Sequence, residues 1–269
     1  MAALAPTFQR SPDFAPALRI VGLFQKPIRG AWVEPVPQLR LRRGWGIEGD
    51  SQAMIGSPRQ VLFASLPALT EFGLAPGAVQ ENLLLSDWVE TLPSGAVVQL
   101  GAQAQVRLTF LCEPCASLER LKPGLSRQIH GKRGMLGMVV RDGVVCPGDE
   151  VRMLPLCLPA LSDKPSDRLN EFVARIPLGR IVRTRDLLLA LGLTPSYARA
   201  IPALLKKSPH LPVHRIVAAD GDLLSRHTPN QEALLAAEGV AVAAGRVEPA
   251  FSWNPMEFHD LGPDGVESG

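Results

Sequence analysis

The sequence is poor in aromatic residues and cysteines and has no long apolar run, and each scarcity excludes a class of protein. Aromatic side chains make up only 5% of its 269 residues, against 46% hydrophobic residues, which is typical of a globular protein with a core of Val, Leu and Ala. No apolar run reaches the roughly 18 residues of a membrane span. Met1 to Arg10 lack the basic and apolar pattern of a secretion signal. We therefore predict a cytoplasmic protein with no membrane as partner.

The four cysteines of a cytoplasmic chain are more typical of reactive, metal-bound or inert thiols than of disulfides. Two of them, Cys112 and Cys115, follow an alternating, strand-like run from Ala104 to Leu111. The turn leads into a predicted short helix, Ala116 to Leu121, and unpaired backbone N–H groups at such a point lower the pKa of a thiol. The pair is therefore a candidate reactive site. The alternative is two small buried residues at the end of a strand.

Two other uses of these cysteines fit their context less well. A structural zinc site needs a second pair of ligands, and Cys146 and Cys157 are single residues in different contexts. A dithiol redox centre is typically surrounded by alternating strands and helices, and no such pattern surrounds Cys112 and Cys115.

Closely spaced short strands dominate the first part of the chain and favour a barrel or a sandwich. Glycines and an Asp-Gly pair interrupt the apolar runs where hairpin turns are expected. The predicted elements are strands over Leu18–Phe24 and Glu150–Leu154, a hairpin at Gly101 within Val97–Leu111, a hairpin at Asp142-Gly143 between Met135–Arg141 and Val144-Val145, and a helix over Leu66–Phe72 with Ser65 and Gly73 at its ends.

A helical period replaces this pattern after a proline-rich stretch. The predicted helices are Asp167–Ala174 after Ser166, Arg185–Leu191 between Thr184 and Gly192, Pro195–Lys207 after Thr194, and Pro229–Ala237 between Thr228 and Gly239. The tight turn Gly192-Leu193-Thr194 gives the two middle helices the form of a helix-turn-helix. We predict an α+β protein with two domains, residues 1–155 and 167–248. Residues 156–166 are the predicted linker, and residues 249–269 a flexible acidic tail.

Positive charge is concentrated in the second domain. Residues 164–217 contain ten Lys or Arg and three acids, a balance of +7 in a chain whose net charge is +2. A compact basic region favours a phosphate backbone, and hence DNA, as partner. The alternative is a solvated helical surface that happens to be basic.

Five motifs follow one another in the first domain. They are Gly46-Ile47-Glu48-Gly49-Asp50, Arg59 before an apolar strand, the pair Glu81-Asn82, the turn at Cys115, and Gly148-Asp149. In this order they resemble the MOSC family, whose domain also occurs at the C-terminus of molybdenum-cofactor sulfurases. The resemblance covers about residues 18–154 and implies a β-barrel.

The resemblance also implies a reactive cysteine that carries sulfur or ligates molybdenum. Cys115 matches that residue and is the predicted metal ligand, with Cys112 as a second catalytic residue. A thiolate is a soft metal ligand and a good sulfur acceptor. Three cations are predicted to hold a cofactor phosphate or the thiolate, or else to be surface charges: Arg59, Lys132 and Arg133. Asp50 and Asn82 either orient ligands or cap turns.

What the first domain would do follows from the same resemblance. The implied activity is that of a molybdenum-cofactor-dependent oxidoreductase or a sulfurtransferase, and the implied cofactor is the molybdenum cofactor. The family is also linked to pyridoxal-phosphate-binding proteins.

The second domain carries a different set of motifs. They are Arg175-Ile176-Pro177-Leu178-Gly179-Arg180, Tyr197-Ala198-Arg199, Pro212-Val213-His214-Arg215-Ile216-Val217 and Leu234 to Gly239. Together they resemble the DNA-binding domain of O6-alkylguanine-DNA alkyltransferases over about residues 167–247. The family's acceptor is a cysteine activated by the following histidine, which a glutamate orients. Val213 stands at the acceptor position, while His214 and Glu238 are present.

This departure implies an alkyltransferase-like protein of DNA repair that binds DNA without accepting an alkyl group. Arg185 replaces a tyrosine that helps to extrude the nucleotide, and Pro202 is expected to kink the recognition helix. Arg199 matches the arginine that fills the gap left by the extruded base, or else braces a phosphate. Tyr197 stacks on a sugar or only packs. The remaining predicted DNA contacts are Lys206, Lys207 and Arg215.

The sequence therefore predicts a MOSC domain with one reactive cysteine, fused to a winged-helix domain that binds DNA. Two other hypotheses remain open. One is non-enzymatic recognition of alkylated DNA with the MOSC domain as accessory. The other is a degenerate protein-interaction module.

Overall fold

The computed structural model describes residues 18–259. Met1 to Arg10 and the acidic residues Asp260, Asp264 and Glu267, on which two predictions depend, lie outside this range. The first domain contains eleven strands: β1 (Ile20–Gln25), β2 (Glu34–Pro35), β3 (Leu39–Arg42), β4 (Gly46–Ile47), β5 (Val61–Ser65), β6 (Leu83–Leu85), β7 (Ala96–Leu100), β8 (Ala104–Leu111), β9 (Met135–Arg141), β10 (Gly143–Val145) and β11 (Val151–Cys157). Its helices are α1 (Leu66–Phe72), the 3₁₀ helix Ala116–Arg120 and α2 (Leu125–Gln128).

Eight of these strands form one sheet in the order β11-β7-β8-β9-β5-β6-β1-β2, and β10-β3-β4 form a second sheet. All neighbours in the large sheet are antiparallel except β5 and β6. A bridge between Arg19 and Glu150 joins the beginnings of β1 and β11, with hydrogen bonds from the N–H of Ile20 to Asp149 and from the N–H of Val151 to Leu18 beside it, and no ladder continues from it. Within the described residues the first domain is therefore a large sheet with helices packed on it, and the strands do not form the predicted closed barrel.

The predicted hairpin at Gly101 is confirmed, because β7 and β8 pair in register. The predicted hairpin at Asp142-Gly143 is wrong, although both of its strands exist. β9 pairs with β8 and β5, whereas β10 crosses to β3 in the smaller sheet. Gly143 passes so close to β8 that a Cβ there would lie 2.6 Å from the Cβ of Ala104. Gly143 of the Asp-Gly pair thus allows the chain to pass close to β8 as it crosses from the large sheet to the smaller one.

The second domain is built from short helices and strand pairs of only two residues. Its elements are α3 (Pro165–Arg175), β12 (Val182–Arg183), α4 (Thr184–Ala190), α5 (Ile201–Leu205), β13 (Ile216–Val217), α6 (Gln231–Ala237), β14 (Val242–Ala243), β15 (Arg246–Val247) and α7 (Pro255–Phe258), with 3₁₀ helices at Pro195–Arg199, Val213–Arg215 and Pro249–Phe251. The helical character is confirmed, and two short strand pairs, β12 with β13 and β14 with β15, accompany the helices. Among residues 18–259, no helix is long and apolar enough to cross a bilayer.

Prolines decide where several of these elements begin. The helix predicted over Pro195–Lys207 is divided into a 3₁₀ helix and α5, because Pro202 occupies the first turn of α5 and cannot donate to a preceding carbonyl. α3 begins at Pro165, one residue before the predicted cap. β11 continues through Pro155 into the predicted linker. It tolerates this proline because it is an edge strand with a register shift after Met153.

One apolar cluster, the junction cluster, joins the two domains. It contains Leu62, Phe110, Cys112 and Leu136 of the first domain together with Leu169, Phe172, Val173, Leu187, Leu188 and Leu191 of the second. Arg168 is 1% exposed and lies over the ring of Phe110, 3.9 Å from its centroid. Desolvation lowers the pKa of Arg168 to about 10. The two domains are therefore packed against each other through shared buried side chains.

Residues 249–259, predicted to begin a flexible tail, instead complete this junction. Trp253 and Phe258 are buried against Phe172, with ring centroids 5.2 and 4.6 Å away. His259 is fully buried between the domains. Its Nε2 lies 3.1 Å from the carbonyl of Ala190, and its own carbonyl accepts from Arg107. Burial lowers the pKa of His259 to about 3. The apolar residues of this segment account for the packing. The prediction of a flexible tail was based on its acidic residues instead.

Candidate functional site

The end of β8 places two thiols in different environments. Cys112 is 3% exposed and its backbone N–H donates to the carbonyl of Gly134 at 2.9 Å. Cys115 is exposed and is the N-cap residue of the 3₁₀ helix Ala116–Arg120. All four cysteines of the chain are free. Of the residues that the structure describes, no three His, Cys, Asp or Glu side chains are grouped to hold a metal ion.

Cys115 has the surroundings of an activated thiol. Its Sγ lies 2.7 Å from the hydroxyl of Ser117, and the N–H of Leu118 donates to its carbonyl. Partial burial by itself would raise the pKa of Cys115. The hydrogen bond with Ser117 and the charge of Arg133 outweigh that effect and lower the pKa. The accessible cysteine is therefore also the one whose thiolate is stabilised.

Cys112 faces two guanidinium groups. Nη1 of Arg133 is 2.9 Å from its Sγ and also donates to the carbonyl of Glu113 at 2.6 Å. Nη2 of Arg59 lies farther away, at 3.9 Å. Arg133 is 8% exposed, so the charge that lowers the pKa of Cys115 lies inside the protein, in contact with Cys112.

A cavity of about 260 Å³ adjoins the 3₁₀ helix that follows Cys115. Its cations come from three separate segments: Lys26, Arg120 and Arg133. Trp32 forms part of the wall and is 55% exposed. Gln80 also lines the cavity. It has a φ of +65°, and its buried Nε2 lacks a hydrogen-bond partner within residues 18–259. The cavity is thus suited to an anionic group that can accept a hydrogen bond.

Asp50 and Asn82, predicted to orient ligands or cap turns, hold the loop that supplies Lys26. Oδ2 of Asp50 accepts from the N–H of Lys26 at 2.8 Å and from Nδ2 of Asn82 at 3.1 Å. Oδ1 of Asn82 accepts from the N–H of Leu62. These contacts tie the glycine-rich motif, the loop after β1 and strand β5 together. Asp50 and Asn82 therefore contribute to the cavity indirectly, because they fix the backbone of the loop that carries Lys26.

Two of the predicted cofactor residues lie elsewhere. Nζ of Lys132 is bound by both carboxylate oxygens of Glu71, at 2.7 and 2.8 Å, and lies over the ring of Trp88. Arg59 points to the domain junction, where Nη1 donates to the carbonyl of Gly192. Sequence reasoning missed Lys26 and Arg120, which line the cavity instead. The position of Arg120 in the short helix after Cys115 was the available signal.

Glu81, next to Gln80, is a buried carboxyl group. Its Oε1 accepts from the N–H of Gly77 at 2.6 Å, and its buried Oε2 is without a partner in the described part of the chain. Desolvation raises the pKa of Glu81.

In the second domain, Glu238 holds His214 and Arg215 together. Its Oε1 lies 2.7 Å from Nε2 of His214, and Arg215 donates to both carboxylate oxygens. Burial would raise the pKa of Glu238, but the hydrogen bonds from Arg215 and His214 prevail and lower it to about 2. Val213 is half-buried beside this cluster and begins the 3₁₀ helix Val213–Arg215. Val213, at the predicted acceptor position, is therefore followed by a histidine whose ring Glu238 holds in place.

The predicted DNA contacts differ in how free they are to bind. Arg199, Lys206 and Lys207 are exposed around the 3₁₀ helix Pro195–Arg199 and α5. Tyr197 is half-buried and packs on the junction cluster. Arg185 is exposed and pairs with Asp186 at 3.3 Å. Arg215 uses its guanidinium within the domain, on Glu238 and on the carbonyl of Ile176.

Two family models match the chain, one in each domain. Residues 52–152 match the MOSC domain. Residues 165–240 match the family described as "6-O-methylguanine DNA methyltransferase, DNA binding domain". The comparison with curated proteins gives no match.

Solved structures similar to each domain are also found. YuaD from Bacillus subtilis is 20% identical, with 51% of this chain and 94% of that chain covered and a TM-score of 0.43. YiiM from Geobacillus stearothermophilus is 15% identical, with 82% and 98% covered and a TM-score of 0.42. S. pombe Atl1, solved in complex with damaged DNA containing O6-carboxymethylguanine, is 24% identical, with 35% and 98% covered and a TM-score of 0.31.

Proposed function

We propose that this chain, in which a MOSC domain is joined to the DNA-binding domain of the O6-methylguanine DNA methyltransferase family, carries sulfur or a molybdenum cofactor at Cys115 and binds duplex DNA. The observation that carries the proposal is the exposed Cys115, with its lowered pKa, beside a cavity lined by cations. In this proposal the MOSC domain carries the sulfur or the cofactor, and the second domain binds the protein to nucleic acid.

Either use of Cys115 requires a thiolate in reach of a partner molecule. As a sulfur carrier, the Cys115 thiolate attacks the outer sulfur of a persulfide donor; the donor's S–S bond breaks, the donor leaves as a thiolate with the electron pair, and Cys115 retains the sulfur as a persulfide. Ser117 holds the thiolate by a hydrogen bond, and Arg133 balances its charge from within. Cys112 is only 3% exposed, so a donor reaches Cys115 much faster than it reaches Cys112.

The residues around the cavity fit the anionic end of a molybdenum cofactor. When bound, this cofactor would supply a redox-active metal, for which a thiolate is a suitable soft ligand. Lys26, Arg120 and Arg133 would hold its phosphate, and the unpartnered amide of Gln80 would donate a hydrogen bond. Trp32 would cover a planar ring at the open side.

Native protein treated with a small alkylating agent at neutral pH should be labelled mainly at Cys115. Its lowered pKa increases the fraction of the thiol that is present as thiolate, and its exposure gives the reagent access. Peptide mapping of the adduct checks this. Arg133→Gln should slow labelling of Cys115, because the opposing charge is removed. Cys146 and Cys157, which are exposed, serve as internal controls. Labelling that goes mainly to Cys112, Cys146 or Cys157 would reject the assignment.

For the second domain we propose binding to the phosphate backbone, with little preference for alkylated guanine. The family match, the +7 balance over residues 164–217 and the exposed cations near α5 support it. Division of the predicted recognition helix at Pro202 argues against efficient extrusion of a base. Arg185 stands where the family has the tyrosine that helps extrusion. The proposed partner is therefore duplex DNA in general.

Binding of the full chain to duplex DNA should weaken steeply with salt, because bound cations are released from the phosphates. Lys206→Ala and Lys207→Ala should weaken all duplexes alike and each reduce the salt slope by about 1. Arg199→Ala should instead remove whatever preference exists for methylated over unmethylated duplex. Titrations at two salt concentrations test this, with Arg152→Ala, an exposed residue of β11, as control. If neither duplex binds at low salt, the DNA proposal fails.

One observation favours a second function, non-enzymatic recognition of alkylated DNA. His214 and Glu238 keep an ordered site beside Val213, whose apolar side chain suits an alkyl group. In that case methylated duplex should bind more tightly than its unmethylated match, and Cys115→Ser should leave this difference unchanged. If no nucleic acid binds, an interaction with another protein takes its place.

A further inference from the structure

Cys112 lies where the two domains meet. It is 3% exposed and belongs to the junction cluster, which it shares with Phe110 of its own domain and with Leu169 and Leu188 of the second. Its environment differs from that of Cys115, which faces solvent at the other end of the same short turn. Any atom added to the sulfur of Cys112 therefore has to be accommodated between the domains.

Arg59 connects this sulfur to the helix-turn-helix turn. Its Nη2 lies 3.9 Å from Sγ of Cys112, and its Nη1 donates to the carbonyl of Gly192 at 3.4 Å. Gly192 has a φ of +64°. A Cβ there would come within 2.9 Å of both Phe110 and Pro58 and 3.0 Å of Arg59. The turn therefore packs so closely against the first domain that a side chain could not be added at Gly192 without moving its neighbours.

The seated turn fixes where the proposed DNA-contact element begins. The 3₁₀ helix with Tyr197 and Arg199 starts three residues after Gly192. On the other side of the turn, Nε of Arg168 donates to the carbonyl of Leu191 while its guanidinium stacks on Phe110. The side chain of Arg59 contacts both Cys112 and Gly192. A chemical change at Cys112 can therefore reach the turn through this one side chain.

A second feature is the buried positive charge that lies next to the sulfur of Cys112. Arg133 is buried, and Nη1 is 2.9 Å from Sγ. Its Nε is also buried and has no hydrogen-bond partner among residues 18–259. A guanidinium enclosed in this way is stabilised by a negative neighbour, which a thiolate or a persulfide on Cys112 would be.

We propose that Cys112 is a modification site, and that one sulfur atom added to it weakens DNA binding by the second domain; this rests on the proposed function of that domain. The donor is a low-molecular-weight persulfide. The Cys112 thiolate attacks the outer sulfur of the donor, the donor's S–S bond breaks, and the donor leaves as a thiolate with the electron pair. The added sulfur displaces Arg59 from Gly192 and unseats the turn, because an atom inserted into a well-packed interior forces the neighbouring side chains and backbone to shift.

The test uses the full chain carrying Cys115→Ser, so that Cys112 is the only cysteine of the pair. The protein is treated with cysteine persulfide, and intact mass and peptide mapping confirm one added sulfur at Cys112. We expect duplex affinity to fall roughly fivefold or more, the lower end of usual coupling between sites. Cys112→Met, a permanent bulky side chain, should reproduce the loss. Cys112→Ser treated in the same way should keep its affinity, as should Cys146→Met.

Hydrogen exchange gives a second readout that does not need DNA. Peptides covering residues 188–199, where Leu193 donates to the carbonyl of Leu188, should exchange faster after modification. Failure of Cys112 to take up sulfur, or unchanged exchange and unchanged affinity after uptake, would overturn the inference. If even the untreated protein binds no DNA, the proposed function fails, and the exchange result alone still decides whether Cys112 controls the turn.

Discussion

Val213→Cys should allow the protein to accept a methyl group from O6-methylguanine, whereas the wild-type chain should accept none. Val213 offers only hydrocarbon at the acceptor position. The new thiol would lie directly before His214, whose Nε2 is held by Glu238 at 2.7 Å. Such a pair activates a cysteine by taking its proton. The thiolate attacks the methyl carbon, the C–O bond breaks, and guanine leaves. Intact mass after incubation measures the adduct.

Both methylated duplex and the free base O6-methylguanine should be offered, because the free base requires no extrusion. Transfer from the free base but not from the duplex would show that the variant cannot extrude the modified base from DNA. The division of the helix at Pro202 and the presence of Arg185 predict this result. Val213→Ser is the matched control without sulfur. A methyl adduct on the second domain of the wild-type chain would contradict our interpretation of Val213. If the cysteine variant forms no adduct, His214 does not activate a thiol at this position and its role is only structural.

The parts of the fold that sequence predicts well are those decided by adjacent residues. The ends of α1 at Ser65 and Gly73 and the turn at Gly101 follow from local chemistry and are found where expected. Partner choice between strands is not local. Asp142-Gly143 has the composition of a hairpin turn, but β10 pairs with β3, about a hundred residues earlier along the chain. The close approach of Gly143 to Ala104 is visible only in three dimensions.

The candidate sites show the same division. Cys115 and the trio Val213, His214 and Glu238 come from recognisable motifs. The partners of the thiols do not, because Lys26, Arg120 and Arg133 reach one cavity from segments far apart in sequence. Lys132, next to Arg133 in sequence, does not line the cavity and pairs with Glu71 instead. Arg215 was predicted to contact DNA because of its charge alone, and in the structure this charge is paired with Glu238 of the same domain.

The domain junction could not be foreseen because its polar members look like surface residues. Arg168 is 1% exposed in the structure, although an arginine on a helix is expected to face water. It is tolerated because its Nε and Nη1 donate to the carbonyls of Leu191 and Ser162, while its flat face covers Phe110. Burial of such a group depends on partners from two domains.

Glu238→Ala should destabilise the protein by about 2–3 kcal/mol at neutral pH, since it leaves His214 and Arg215 without their shared carboxylate. We place the value below that of a fully buried pair because these side chains are 11–16% exposed. Urea unfolding measures the loss. Glu232→Ala, an exposed acid on the same helix α6, is the control and should change stability by no more than about 0.5 kcal/mol.

The same carboxylate should make the difference between the two proteins depend on pH. The pKa of Glu238 is about 2 in the folded protein and 4.5 in the absence of its partners. The unfolded chain therefore binds the proton first, so the stabilisation is complete above about pH 4.5 and is lost as the pH falls toward 2. His259, whose folded pKa of about 3 lies below its ordinary 6.5, weakens wild type and variant equally as the pH falls from 6.5. Unfolding free energies of Glu238→Ala and wild type should thus converge in acid, and a gap that stays constant down to pH 2 would show that the carboxylate's charge contributes nothing.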